Sequence, residues 1–198
     1  MKCLIEEDLL PRIVSGSSVG SIFASLLCTK TKEELEDFKD YSTIKVPAYF
    51  EENQKEETLG NRLKRLMTKG YLMNHEDIRN FLQANIGNIT FQEAYDRTGW
   101  ILNITVTGQD EHDGYRLLNY LTAPNVLIWS AACASCAVPY IFASVDLLCK
   151  DENGDIVSYI PETTKRYVDG TLTADVPTKD LSELFNVNCL IVSQVNPV

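Results

Sequence analysis

Histidine is scarce in this chain: His75 and His112 are the only two in 198 residues. That shortage leaves few ways to build a Ser-His-Asp arrangement, and fewer to build an imidazole-based zinc site. Basic charge is also short, with 18 lysines and arginines against 28 aspartates and glutamates and a formal net charge of −10. Nucleic-acid contacts need clustered cations, so nucleic-acid partners are excluded. The same charge offers no attraction to an anionic bilayer surface, so any lipid contact has to be apolar. Long hydrophobic runs are missing too. The most apolar stretch, Ile128 to Ala143, is interrupted by Ser130, Ser135 and Pro139 and is too short to span a membrane. Glu6, Glu7 and Asp8 stand where a signal peptide needs its apolar core, so an intracellular protein is the expectation.

The six cysteines, Cys3, Cys28, Cys133, Cys136, Cys149 and Cys189, lack the rhythm of a disulfide scaffold. Cys133 and Cys136 do have C-x-x-C spacing. Zinc at that pair needs two further ligands at matched spacing, and a redox pair needs a thioredoxin-like strand ahead of it; the sequence offers neither. Two small buried thiols in a closely packed helix are the simpler reading, and neither metal nor cofactor is expected. A hydrophobic content of 44% and a charged content of 23% are those of an ordinary globular protein, and the length suits one domain spanning residues 1–198.

Local patterns predict strands alternating with helices. Met1 to Asp8 reads as the end of a helix, and Thr31 is placed to cap a short acidic one. Tyr41 to Glu57 reads as a surface excursion, followed by an amphipathic helix bearing Leu59, Leu63 and Leu66. A helix after Asn74 carries Ile78, Phe81, Leu82 and Ile86 and ends at Gly87. Thr90 and Glu93 have capping-box spacing ahead of a helix closed by Gly99. Trp100 to Thr107 alternates as a strand, and a helix from Val126 must end by Pro139. Asp151 to Asp155 is a hairpin turn, Arg166 to Val168 a short strand stopped by Asp169-Gly170, and Leu181 to Phe185 a helix. Cys189 to Val192 is fully apolar and predicts a central parallel strand. The fold class is α/β.

Gly16-Ser17-Ser18-Val19-Gly20 is a G-x-S-x-G run between a short apolar strand and a small-residue helix, with Ile22, Phe23, Leu26 and Leu27 on one helical face. This is the context of a nucleophile elbow, where a sharp strand-to-helix turn presents a serine and crowding favours glycine two positions away. Ser18 is the candidate nucleophile and the Val19 amide a candidate oxyanion donor. No histidine follows Asp169, so the chain order Ser, acid, His is not available. Asp169, at the end of its predicted strand, is the alternative base; a plain Asp-Gly turn of the kind Asp113-Gly114 also provides is the competing reading. His75 and His112 read as solvated surface residues.

GSSVGS at 16–21, LNYLTAPNVLIWSA at 118–131, SAACASCAVPYIF at 130–142, RYVDGTLTADVP at 166–177 and LSELFNVNCLIVSQVNP at 181–197 resemble the patatin-like phospholipases, and within them the intracellular triacylglycerol lipases. The resemblance runs over essentially the whole chain. It implies a three-layer αβα sandwich with a mostly parallel sheet, incomplete at both ends, and a Ser-Asp dyad in place of a triad. Ser18 matches the elbow serine, and Asp169, Gly170 and Thr171 match the D-G-x motif. The implied activity is hydrolysis of fatty acyl esters of neutral lipid or phospholipid at a lipid surface, in the cytoplasm or on a lipid droplet or membrane, with no protein partner identified. Tyr140 stands where the family often has glycine, and Thr171 where it often has glycine or alanine. The family's glycine-rich oxyanion segment lies upstream of the elbow, and its absence here suggests a fragment or a truncated product. The competing expectation is therefore a catalytically impaired module that binds lipid or protein. The apolar faces at Leu59-Leu63-Leu66 and Ile78-Phe81-Leu82 are candidate acyl-contact surfaces, or simply core.

Overall fold

The computed structural model describes residues 2–37, 75–108, 115–137, 146–159, 167–169 and 176–193. In chain order these form α1 (Lys2–Glu6), β1 (Ile13–Gly16), α2 (Val19–Cys28), α3 (Lys32–Asp37), α4 (His75–Ile86), α5 (Phe91–Thr98) and β2 (Ile101–Gly108). Then follow β3 (Tyr115–Leu118), α6 (Ile128–Ser135), β4 (Leu148–Lys150), β5 (Ile156–Ser158), β6 (Tyr167–Asp169) and α7 (Thr178–Phe185).

Local chemistry sets several of these boundaries. Thr90 Oγ1 accepts from the Glu93 N–H at 3.2 Å while Glu93 Oε2 accepts from the Thr90 N–H at 2.9 Å, a complete capping box for α5. Gly99, at φ 71°, ends that helix with its N–H on the Tyr95 carbonyl. Thr31 and Glu34 exchange the same two bonds at α3. The β4–β5 hairpin closes where the Asp151 carboxylate accepts from the Asn153 and Asp155 amides.

β2 organises the sheet. It pairs in parallel with β1, Ile13 opposite Ile101 through Gly16 opposite Ile104. Its other edge carries β3, antiparallel, with Ile104 opposite Leu118 and Val106 opposite Arg116. β6 is also antiparallel to β2, with Asp169 opposite Val106 and Tyr167 opposite Gly108. A residue in a sheet has one neighbour per edge, so β6 must share the edge that β1 uses, beyond the point where β1 ends. The α/β class follows as expected; among the described residues the sheet is mixed, with one parallel and two antiparallel pairings.

Leu102, Ile104 and Val106 of β2 are buried in one cluster with Ala24, Leu27 and Cys28 of α2 and with Ile128, Ala132 and Cys133 of α6. Alternation in Trp100–Thr107 would permit one wet face, yet Asn103, Thr105 and Thr107 are buried as well, which makes β2 a middle layer. Asn103 meets that cost by hydrogen bonding: it accepts from Asn119 Nδ2 at 3.0 Å and reaches the Val14 carbonyl at 3.4 Å. Arg79 over the Trp129 ring, and the Trp129 Nε1–H donated to Asn88, tie α4 and the turn that follows it to α6.

Two sequence expectations change here, and one pair of open readings narrows. Cys189–Val192 is not a strand, and Leu190, Ile191 and Val192 are exposed. An apolar run becomes a strand only when a sheet edge takes its N–H and C=O groups, and none among the described residues does. Phe23 is 56% exposed rather than facing the core with Leu26 and Leu27. The Ile78-Phe81-Leu82 face is core, with Leu82 fully buried and Ile78 and Phe81 packed against the cluster. The Tyr41–Glu57 excursion and the Leu59-Leu63-Leu66 helix lie outside the described residues.

Candidate active site

β1 ends at Gly16 because the chain must turn there against its own next helix. A Cβ on Gly16 would stand 2.5 Å from the Gly20 carbonyl oxygen and 2.7 Å from Ser21 Cα, so no side chain fits. Gly20 differs: a Cβ there meets nothing within 4 Å. Crowding at this elbow thus makes the first glycine of the motif obligatory and leaves the second unconstrained.

Ser18 sits between β1 and α2 at φ 51°, ψ −128°, a conformation that costs an L-residue about 1–3 kcal/mol and persists only when its surroundings over-determine it. They do. The Ser18 carbonyl accepts from the Ser21 N–H at 2.9 Å and from Ser21 Oγ at 2.6 Å, and the Gly20 N–H donates to the Ser17 carbonyl at 2.9 Å. The Ser18 N–H donates to Ser135 Oγ of α6 at 3.0 Å. A serine at a helix N-cap normally spends its oxygen on the first turn, but Ser18 makes no such side-chain bond. Its backbone carbonyl does that work, and the hydroxyl of this half-buried residue has no partner among the described residues. The Val19 N–H has no partner among the described residues and points with the positive end of the α2 dipole. Ser17 Oγ is buried and has no hydrogen-bond partner among the described residues.

The other residue expected at the site, Asp169, is the last residue of β6. β1 finishes opposite Ile104 and β6 finishes opposite Val106 on the same edge of β2, so the two strands meet end to end. Their last residues are two positions apart on β2, roughly 7 Å along the strand. Two segments separated by some 150 residues in sequence are thereby brought to one point. Gly170 and Thr171, Tyr140 and Pro139, the Asp113-Gly114 turn and His112, and the side chain of His75 lie outside what is described.

The sequence did not single out Ser135, which is fully buried and joins Ser18 to β2 by donating to the Thr105 carbonyl at 2.7 Å. Its only signal was a run of small residues in which one hydroxyl had no evident surface role. Val19 and Phe23, at 60% and 56% exposure one turn apart on α2, form an apolar surface beside Ser18. Cys133 and Cys136 are buried; burial, with Cys136 as neighbour, pushes the Cys133 thiol up to about 12 against a smaller pull from Arg79. Burial likewise raises Cys28 far above the ordinary thiol range. Cys133 and Cys136 are thus packed in the core, as expected for small thiols in this helix. No cluster of three or more potential metal ligands exists among the described residues, and no helix among them is long and apolar enough to cross a membrane.

Residues 1–182 match the protein family described as patatin-like phospholipase. The chain is 42% identical over 207 residues to triacylglycerol lipase SDP1L of Arabidopsis thaliana, an alignment covering 100% of this chain and 25% of that protein. It is 42% identical over 197 residues to triacylglycerol lipase 4 of Saccharomyces cerevisiae, covering 98% and 22%. It is 36% identical over 198 residues to triacylglycerol lipase ptl3 of Schizosaccharomyces pombe, covering 99% and 41%. The chain therefore spans less than half the length of each of these relatives.

Proposed function

The chain belongs to the patatin-like phospholipase family, and from that premise we propose that it hydrolyses fatty acyl esters with a Ser18–Asp169 dyad. The carrying observation is the convergence on β2: a strained serine with an uncommitted hydroxyl where β1 ends, and an aspartate where β6 ends on the same edge. Supporting it is the Val19 N–H, unpaired among the described residues.

In this reading Ser18 Oγ attacks the ester carbonyl while its proton passes to the Asp169 carboxylate. The carbonyl oxygen, now negative, accepts a hydrogen bond from the Val19 N–H at the positive end of α2. The alcohol leaves with the proton held by Asp169, and an acyl-serine remains. Water gives a proton to the same carboxylate as it attacks, releasing the fatty acid and restoring Ser18.

The substrate class follows from the apolar surface of Val19 and Phe23 beside the nucleophile and from the triacylglycerol lipases among the relatives. Triacylglycerol is the first choice and a phospholipid acyl ester the second. With a net charge of −10, docking to the lipid surface rests on apolar contact.

The experiment uses the full-length protein and a long-chain alkyl phosphonate reactive toward serine. Label should appear on the peptide containing Ser18. Ser18→Ala and Asp169→Asn should each cut ester turnover by roughly 10⁴–10⁶-fold, and the double variant should be little worse than the more damaging single, since the pair acts as a unit. His75→Ala and His112→Ala should retain turnover. Label on another residue, or full turnover in Asp169→Asn, refutes the dyad. Inactivity of the intact protein on every ester favours a lipid- or protein-binding module instead.

A further inference from the structure

The backbone N–H of the strained Ser18 is bonded from outside both β1 and α2. Its partner is Ser135, more than a hundred residues away in sequence and fully buried. Its hydroxyl accepts from the Ser18 N–H at 3.0 Å and donates to the Thr105 carbonyl at 2.7 Å, so both functions of the hydroxyl are used and its orientation is fixed. Thr105 immediately precedes Val106, the register partner of Asp169. The same end of α6 meets the same turn of α2 once more, where Ser21 Oγ lies 3.5 Å from the Ala132 carbonyl.

We propose that Ser135 is a positioning residue for the reaction, its hydroxyl clamping the strained Ser18 backbone to β2 and so setting the place of the Ser18 oxygen relative to Asp169. The proposal rests on the reading of Ser18 as the nucleophile. Without the hydroxyl, the Ser18 N–H and the Thr105 carbonyl both lose a buried partner, and the strained dihedrals lose one of the bonds that hold them. A nucleophile displaced by about 1 Å loses on the order of a hundredfold in rate. Substrate binding need not change, because Ser135 is buried below the surface that Val19 and Phe23 present.

Ser135→Ala is tested in the full-length protein against Ser130→Ala. Ser130 lies in the same helix, is equally buried, and bonds to Leu127 and Leu148 rather than to the elbow. Ser135→Ala should lower kcat and the rate of phosphonate labelling together by about 10- to 100-fold with KM within about twofold. Ser130→Ala should leave both rates within about twofold while lowering the melting temperature comparably. Hydrogen exchange at the Ser18 amide should accelerate in Ser135→Ala only. Should Ser135→Ala not fold, Ser135→Cys, a weaker acceptor of similar volume, should give an intermediate labelling rate. Labelling at the wild-type rate in Ser135→Ala or Ser135→Cys overturns the clamp, as does an equal loss in Ser130→Ala. Turnover that survives Ser18→Ala overturns instead the reading of Ser18 on which the clamp rests.

Discussion

Replacing Gly16 by alanine tests the elbow most directly, because the three atoms nearest the new methyl are all backbone. The new methyl would lie 2.5 Å from the Gly20 oxygen, 2.6 Å from the Gly20 carbonyl carbon and 2.7 Å from Ser21 Cα. Restoring ordinary van der Waals separation requires the end of β1 and the first turn of α2 to part by about 1 Å. Overpacking of this kind typically costs about 1–3 kcal/mol even when side chains can yield, and here none is available to yield. The same displacement separates Ser18 from its bonds to Ser135 and from the end of β6, so labelling at Ser18 should fall by roughly a hundredfold or more. Gly20→Ala is the matched control: its methyl meets nothing within 4 Å, its φ is not left-handed, and alanine in a helix is worth up to about 1 kcal/mol over glycine. Urea denaturation measures the stability of each, and phosphonate labelling under native conditions measures the site. Stability within about 0.5 kcal/mol of wild type and normal labelling in Gly16→Ala, or equal damage in Gly20→Ala, would refute the packing argument.

Other consequences can be measured alongside. Burial works to raise the Glu93 carboxyl, but hydrogen bonds from Lys150 and the Thr90 amide, with the Lys150 charge, hold it below its ordinary value. Its stabilisation is therefore present above the unfolded carboxylate range near 4.5 and lost as pH falls through the lower folded value. Glu93→Gln should flatten the fall in melting temperature between about pH 6 and pH 3, by an amount equivalent to under ~1 kcal/mol because the ion pair is partly exposed; an unchanged profile counts against it. Among the cysteines whose side chains are described, native alkylation with iodoacetamide at about pH 8 should reach exposed Cys189 first and half-buried Cys149 more slowly, leaving Cys28, Cys133 and Cys136 unmodified until the protein unfolds. Early modification of Cys133 would contradict its burial. Asn119→Ala removes the donor to Asn103 and the acceptor for the Leu121 and Thr122 amides, and should cost about 2–3 kcal/mol in urea denaturation without altering the sequence specificity of labelling at Ser18.

What the sequence determined by itself was whatever a few neighbouring residues settle. The elbow between an apolar strand and a small-residue helix, the Thr90–Glu93 box and its Gly99 terminus, the Asp151 hairpin and the strand stopping at Asp169 each depend on dihedral preferences and bonds within a turn or two, so they were legible in order along the chain. The tertiary structure alone decided which edge of β2 receives β6, and hence that the end of β1 and the end of β6 lie on one edge, two positions apart. It also decided that the alternating strand is buried on both faces, that Phe23 faces outward, that Cys189–Val192 pairs with no described strand, and that Gly20 is not crowded. Each of these depends on a partner far away in sequence, and an apolar or polar residue carries no record of which distant surface will cover it. Ser135 shows the limit best: only packing α6 against the elbow gives its hydroxyl the Ser18 amide and the Thr105 carbonyl at once.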